Sequence, residues 1–302
     1  MKRITMKGLL LGAMLLLSIG SAAAEEARMK PFVLGSKGAG TVAEKTEQAK
    51  TALQAAGFQV VGSYSPYADA NILVVTNDEM RTNAAGSDKG GFGAAQRVSI
   101  TKSKDEVQVS YTNPVYMSNV YRMKGDLKNV SDKLAAALGR VEEFGSKNGM
   151  TAAQARKYHY TIGMEYFDEP DTLAEYPSYA EAVKAVEAKL SNNSNGVTKV
   201  YRVDVSGKEE TVFGVGLKGP TPADKYMDDK FIMSEIDFKD LKSTAHLPYE
   251  VLVSGNKVYA LYARFRIAIN FPDLSMMGAN SFMNIMSTPD AIRNVLKKTV
   301  QK

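Results

Sequence analysis

The 302-residue sequence contains no cysteine and no tryptophan, and only two histidines, His159 and His246. Without cysteine there is no disulfide, no thiolate nucleophile and no thioether-linked lipid anchor, so the fold must hold by its core alone. Two isolated imidazoles, neither with a carboxylate four residues on in a helical context, do not read as a zinc site. Each is expected to be a surface or partly buried side chain. Neither a Gly-x-Ser-x-Gly elbow nor a Gly-Lys-Ser/Thr phosphate loop occurs. Blocks of like charge are also missing, which removes the footprint of a nucleic-acid or anionic-membrane binder. Beyond the N-terminus no apolar run approaches the ~20 residues a membrane span needs.

What is present begins with an export pattern. Lys2, Arg3 and Lys7 precede an apolar run over residues 8–20, and Ala22-Ala23-Ala24 supplies small residues for cleavage. Residues 1–24 therefore read as a signal peptide, which implies a protein of the periplasm in a two-membrane bacterium. An uncleaved anchor is the rival reading, disfavoured because the run is short. Cleavage would remove three of the 38 basic residues, leaving 35 Lys+Arg against 33 Asp+Glu. The remaining 278 residues suffice for two domains.

Their pattern repeats. In the first half a strand at 31–34 precedes a helix opened by Thr41 with Glu44 three residues on, a capping-box spacing. Val42, Thr46, Ala49 and Leu53 share one helical face. Strands follow at 58–64 and 71–76, then a Gly-rich connection over 78–95, strands at 97–101 and 106–112, and a helix through Val130, Leu134 and Leu138. In the second half a strand is expected at 158–167 and a loop at 168–177. Ser178 then caps a helix whose Tyr179, Val183, Val186 and Leu190 reproduce the earlier spacing. Strands at 197–205 and 210–217, a connection over 220–248, strands at 250–254 and 257–269, and a helix through Ile292, Leu296 and Val300 complete it. The expectation is an α+β protein of two tandem β-α-β-β-β-β-α domains, at 25–140 and 158–302, joined by a linker at 141–157.

The first half resembles the family known as domain of unknown function 302. The residues that carry the likeness are TVAEKTEQAKTALQAAGFQVV, ANILVVTND and EVQVSYTNPVYM, within about residues 30–138. The second half fits as a diverged copy, with Tyr262 where Tyr111 stands but Ala263-Arg264 in place of Thr112-Asn113. The resemblance implies antiparallel sheets with helices on one face, similar to TATA-binding-protein-like domains. It also implies that a tandem copy acts as a covalent pseudo-dimer. It brings no activity.

Candidate chemistry is sparse. Gly214-Val215-Gly216-Leu217-Lys218-Gly219 matches a dinucleotide fingerprint literally, but Pro220 and Pro222 follow where a helix should open, and the repeat places these glycines inside a strand. The acidic residues Glu165, Asp168, Glu169 and Asp171 lack the spacing of a calcium loop and read as a solvated loop. The glycines of 86–93 read as a flexible surface loop, or else a lid with Phe92 as its cover. Met276, Met277, Met283 and Met286 raise Cu(I) binding, but the i, i+3 spacing of the last two reads as a packed helix face. Fifteen tyrosines suit a small-molecule pocket, for which Phe92, Tyr111, Asn113, Tyr121 and Tyr262 are the candidates. No catalytic, cofactor or metal site is expected. The sequence favours an exported non-enzymatic protein that binds a small ligand, held between sheet and helices or in the groove between the copies. The alternatives are a structural or partner-binding envelope protein, then an enzyme or a Met-based copper binder.

Overall fold

Both sheets follow one strand order. The computed structural model describes residues 26–161 and 163–301, so the expected signal segment lies outside the described residues. The first half runs β1 (Phe32–Gly38), α1 (Val42–Ala55), β2 (Gln59–Tyr64), β3 (Ala70–Thr76), α2 (Asp78–Ala85), β4 (Gln96–Ser103), β5 (Glu106–Thr112), α3 (Pro114–Val120) and α4 (Lys128–Leu138). The short β6 (Glu142–Phe144) and α5 (Ala152–Arg156) form the junction. The second half runs β7 (Asp171–Glu175), α6 (Tyr179–Ser191), β8 (Val197–Asp204), β9 (Glu210–Leu217), α7 (Asp229–Ile236), β10 (Tyr249–Ser254), β11 (Lys257–Ala260), α8 (Ala263–Asn270) and α9 (Thr288–Val300). The first sheet is ordered β2-β3-β4-β5-β1, with β6 added at its β1 edge, and the second β8-β9-β10-β11-β7. All pairings are antiparallel. Element for element, the halves have the same topology, and the class is α+β.

Local chemistry accounts for most boundaries. Thr41 and Glu44 form the anticipated capping box on α1, whose Thr46, Ala49 and Leu53 are buried. Ser178 accepts from the Glu181 amide at the start of α6, which buries Ala182, Val186 and Leu190. Asn77 and Asp228 cap α2 and α7 in equivalent places, each accepting the third amide of its helix. Helices α1 and α4 cover one face of the first sheet, and α6 and α9 one face of the second.

Three sequence expectations fail. Residues 158–161 and 163–167 form no strand; they are turns and irregular backbone, and β7 lies instead inside the expected loop. The strand expected over 257–269 stops at Ala260 and becomes α8, which buries Ala263 and residues 265–270 on nearly every side. The alternation Arg264-Phe265-Arg266-Ile267 reads as a strand, but burial of Arg266 and Asn270 along with the apolar residues suits a helix enclosed on nearly every side, and the tertiary surroundings chose helix. As a helix after β11, α8 stands where α3 stands after β5. Finally, the connection 78–95 is no surface loop. It contains α2 and a buried turn at Gly90–Gly93.

The halves interlock through these β3–β4 and β9–β10 connections. The turn at Gly90–Gly93 rests on β9 and β10, where the Gly91 amide donates to Glu210 Oε2 at 2.9 Å. A Cβ on Gly91 would overlap Leu252. In return, the segment around Thr244–His246 rests on β3, β4 and β5. Each half thus straps the open sheet face of the other.

Candidate functional site

The open face of the first sheet is polar and fully covered. Arg97, Ser99, Thr101, Gln108, Ser110 and Thr112 are all buried there. Ser99 and Thr112 bond within the sheet, to the Ser110 carbonyl and to Gln96 Oε1, while Arg97, Thr101 and Gln108 find partners in the second connection, which lies across the face. Gln108 donates from Nε2 to the Asp240 carbonyl at 2.8 Å and accepts the Lys242 amide at 3.0 Å. Thr244 Oγ1 meets Thr101 Oγ1 at 3.0 Å and the Tyr67 hydroxyl at 3.1 Å. Arg97 Nε donates to the Ala245 carbonyl at 2.8 Å.

Beneath this strap is an ion triad. Arg97 pairs with Glu250 Oε1 at 2.5 Å, and Arg266, from α8, pairs with Glu250 Oε2 at 2.8 Å. Arg266 also donates to the carbonyls of Pro248 and His246 at 3.0 and 2.7 Å. Burial opposes the Arg97 charge, but Glu250, joined by the hydroxyls of Tyr121 and Tyr201, outweighs it and raises its pKa. All three groups are at most 3% exposed, so this network positions the strap and offers nothing to solvent. His246 sits against it, fully buried, with Nε2 3.2 Å from the Tyr249 hydroxyl. Desolvation, then the two arginines, hold its pKa well below the usual value, so it is neutral. The expectation of a surface or partly buried histidine is corrected for His246, while His159 is half-buried near its own turn.

Asp237 organises the visible part of the site. It ends α7, accepts the Ser243 amide at 2.9 Å and faces the Thr244 hydroxyl at 3.4 Å, closing the 237–244 loop on itself. Lys242 Nζ donates to the Asp237 carbonyl at 2.9 Å. Burial raises the Asp237 pKa to about 6. On either side of this loop lies a cavity. One, of about 190 Å³, is walled by Phe144, Ile236, Asp237, Leu241 and Phe271. The other, a more open groove of about 460 Å³, is lined by Tyr67, Asp69 and Lys102 from the first half and by Lys230, Met233 and Lys242 from the second. Phe238, 47% exposed, borders both. Lys102 and Lys230 are exposed, and among the described residues neither they nor Lys242 form an ion pair.

The five tyrosine-pocket candidates do not converge on a cavity. Tyr111 is buried and donates to the Gly139 carbonyl at 3.1 Å. Asn113 caps α3 and donates to the Lys30 carbonyl at 3.0 Å. Phe92 and Tyr121 are brought together by Phe167, at ring distances of 6.3 and 5.3 Å, inside the core. Phe92 is therefore a core residue and not the cover of a lid. Tyr262 stands apart, between Arg264 and Arg293.

Other motifs resolve structurally. Gly214 and Gly216 lie within β9, as the repeat implies, because a Cβ at either would overlap the ring of Tyr201 or Tyr64. The acidic run is no free solvated loop: Glu165 pairs with Arg264, Asp168 with Arg122 and Asp171 with Arg293. Among the described residues no group of three or more His, Asp or Glu could hold a metal ion, and no helix is long and apolar enough to cross a membrane. The groove lysines had no signal in the sequence, since Lys102 lies 128 and 140 residues before Lys230 and Lys242 in a chain rich in lysine. Comparison of the chain with protein-family models, curated proteins and solved structures gives no match.

Proposed function

We propose that this chain is a non-enzymatic binding protein whose ligand is a small organic anion held in the groove between the two halves. The observation that carries this reading is the 460 Å³ groove, built from both halves and bordered by three lysines outside any described ion pair. Its size falls in the range of small-ligand sites, roughly 300–1,000 Å³. Tyr67, Met233 and Phe238 would take the apolar body, while Lys102, Lys230 and Lys242 would take the negative group. Asp69 and the high-pKa Asp237 offset only part of that positive charge. The charge pattern at Lys2, Arg3, Lys7 and the run over residues 8–20 support export to the periplasm as part of the same proposal. The likeness of the first half to domain of unknown function 302 supports the pseudo-dimer and adds no chemistry.

Ligand-observed NMR of the protein with a panel of small aromatic carboxylates and phosphates tests the proposal. At least one compound should bind in the micromolar to millimolar range, about −4 to −8 kcal/mol. Lys102→Glu/Lys230→Glu should abolish that binding while leaving the fold intact, as exposed positions allow. Binding that survives the double charge reversal, or a panel without any saturable binder, would refute it.

A further inference from the structure

Seven large hydrophobic side chains are exposed among the described residues, and four are methionines of one short segment. Met276 is 46%, Met277 70%, Met283 53% and Met286 61% exposed. The i, i+3 spacing of Met283 and Met286 suggested a packed helix face, and that reading is corrected. Only Ile285 of the short turn Phe282–Ile285 is buried. Packing does not explain these side chains, since exposed apolar area gains nothing from the hydrophobic effect.

The segment is nonetheless held in a defined shape. Phe282 N donates to the Ser275 carbonyl at 2.8 Å, and Met283 N to the Met276 carbonyl at 3.2 Å, so the chain folds back and sets Met276 beside Met283. Met286 N donates to the Met283 carbonyl at 3.4 Å, which keeps Met286 one turn further on. Ser275 Oγ and Ser281 Oγ each hold a backbone carbonyl at 2.8 Å. The Tyr160 hydroxyl contacts the Met276 sulfur. Met164 and Met276 together line a small apolar cavity of about 50 Å³ with Ile267, Leu274 and Phe282.

A thioether is a neutral, soft donor that suits Cu(I) and Ag(I) and serves Mg²⁺, Ca²⁺ or Zn²⁺ poorly. No charged residue occurs between Asp273 and Asp290, so the segment holds nothing that repels a cation. The nearest guanidinium on the cavity wall, Arg264, is already engaged by Glu165. We propose that Met276, Met283 and Met286, with Met277 or Met164 at the edge, form a binding site for a soft monovalent cation of the Cu(I) or Ag(I) class. The site shares no residue with the groove and stands whether or not the groove binds an anion.

Titration of the full chain with Ag(I), followed by calorimetry and by NMR of ¹³C-methyl-labelled methionine, tests it. One equivalent should shift the methyls of Met276, Met283 and Met286 in a saturable way, and Zn(II) should leave them unmoved. Met276→Leu/Met283→Leu/Met286→Leu conserves volume at exposed positions, so its melting temperature should stay put while Ag(I) affinity falls roughly tenfold or more. Three results would each overturn the site: no stoichiometric binding, shifts confined to other methionines or equal under Zn(II), or a triple variant that binds as tightly as the parent.

Discussion

The two connections that strap the halves together occupy equivalent places in the repeat and do opposite things. The first, residues 78–95, packs backbone onto the facing sheet. All four residues of its Gly90–Gly93 turn are buried, and Phe92 inserts against Phe167. The second, residues 220–248, is eleven residues longer and crosses the facing sheet on side-chain hydrogen bonds, with cavities on both sides of its 237–244 loop. A glycine strap seals; a longer polar strap leaves room. Duplication of the order of elements therefore did not duplicate the role, and the length and composition of one connection made the difference.

That contrast can be broken most sharply at the carboxylates beneath each strap. Glu250→Gln leaves Arg97 and Arg266 buried without their counter-charge, and should cost about 3–5 kcal/mol in a denaturant melt. The matching change under the first strap, Glu210→Gln, still accepts the Gly91 amide and should cost about 1 kcal/mol. Equal losses would show that the two straps are anchored alike.

Next in size is the pH dependence that the buried carboxylates of the second strap contribute. Burial raises Asp237 to about 6 and Asp229 to about 7, from an ordinary 3.8. A raised carboxylate pKa means the fold favours the protonated form, so this contribution is complete below about pH 4. It is lost as pH rises through the folded value. Wild type should therefore lose stability relative to Asp237→Asn between pH ~4 and ~6, by on the order of 2–3 kcal/mol. Relative to Asp229→Asn the loss should extend to pH ~7. Parallel stability curves for wild type and Asp237→Asn would exclude a titrating Asp237.

The smallest effect probes the sealed strap. Gly91→Ala places a Cβ against Leu252, the end of a flexible side chain, so the cost should be about 1 kcal/mol, the low end of overpacking. Leu252→Ala in the same chain should recover part of it in a double-mutant cycle. Independent, additive effects would mean that the turn does not press on β10.

The sequence made α1 and α6 legible because capping chemistry and a 3.6-residue apolar period are local signals, and both were right at Thr41 and Ser178. It also placed Gly214 and Gly216 in a strand, since the repeat overruled the fingerprint. It misjudged 257–269 because Arg264-Phe265-Arg266-Ile267 alternates like a strand, whereas Arg266 is buried by its pairing with Glu250. The glycines of 86–93 misled in the same way: their freedom suggests mobility, whereas here their lack of side chains permits burial against another sheet.

By itself, then, the sequence determined a cysteine-free α+β chain of two similar halves, through caps, periods and glycine stops within each segment. Only the tertiary structure decided that Tyr111 and Tyr121 are core, that lysines from both halves share a groove, and that four methionines face outward. Those properties depend on which surfaces meet across more than a hundred residues of chain, and no local spacing encodes that.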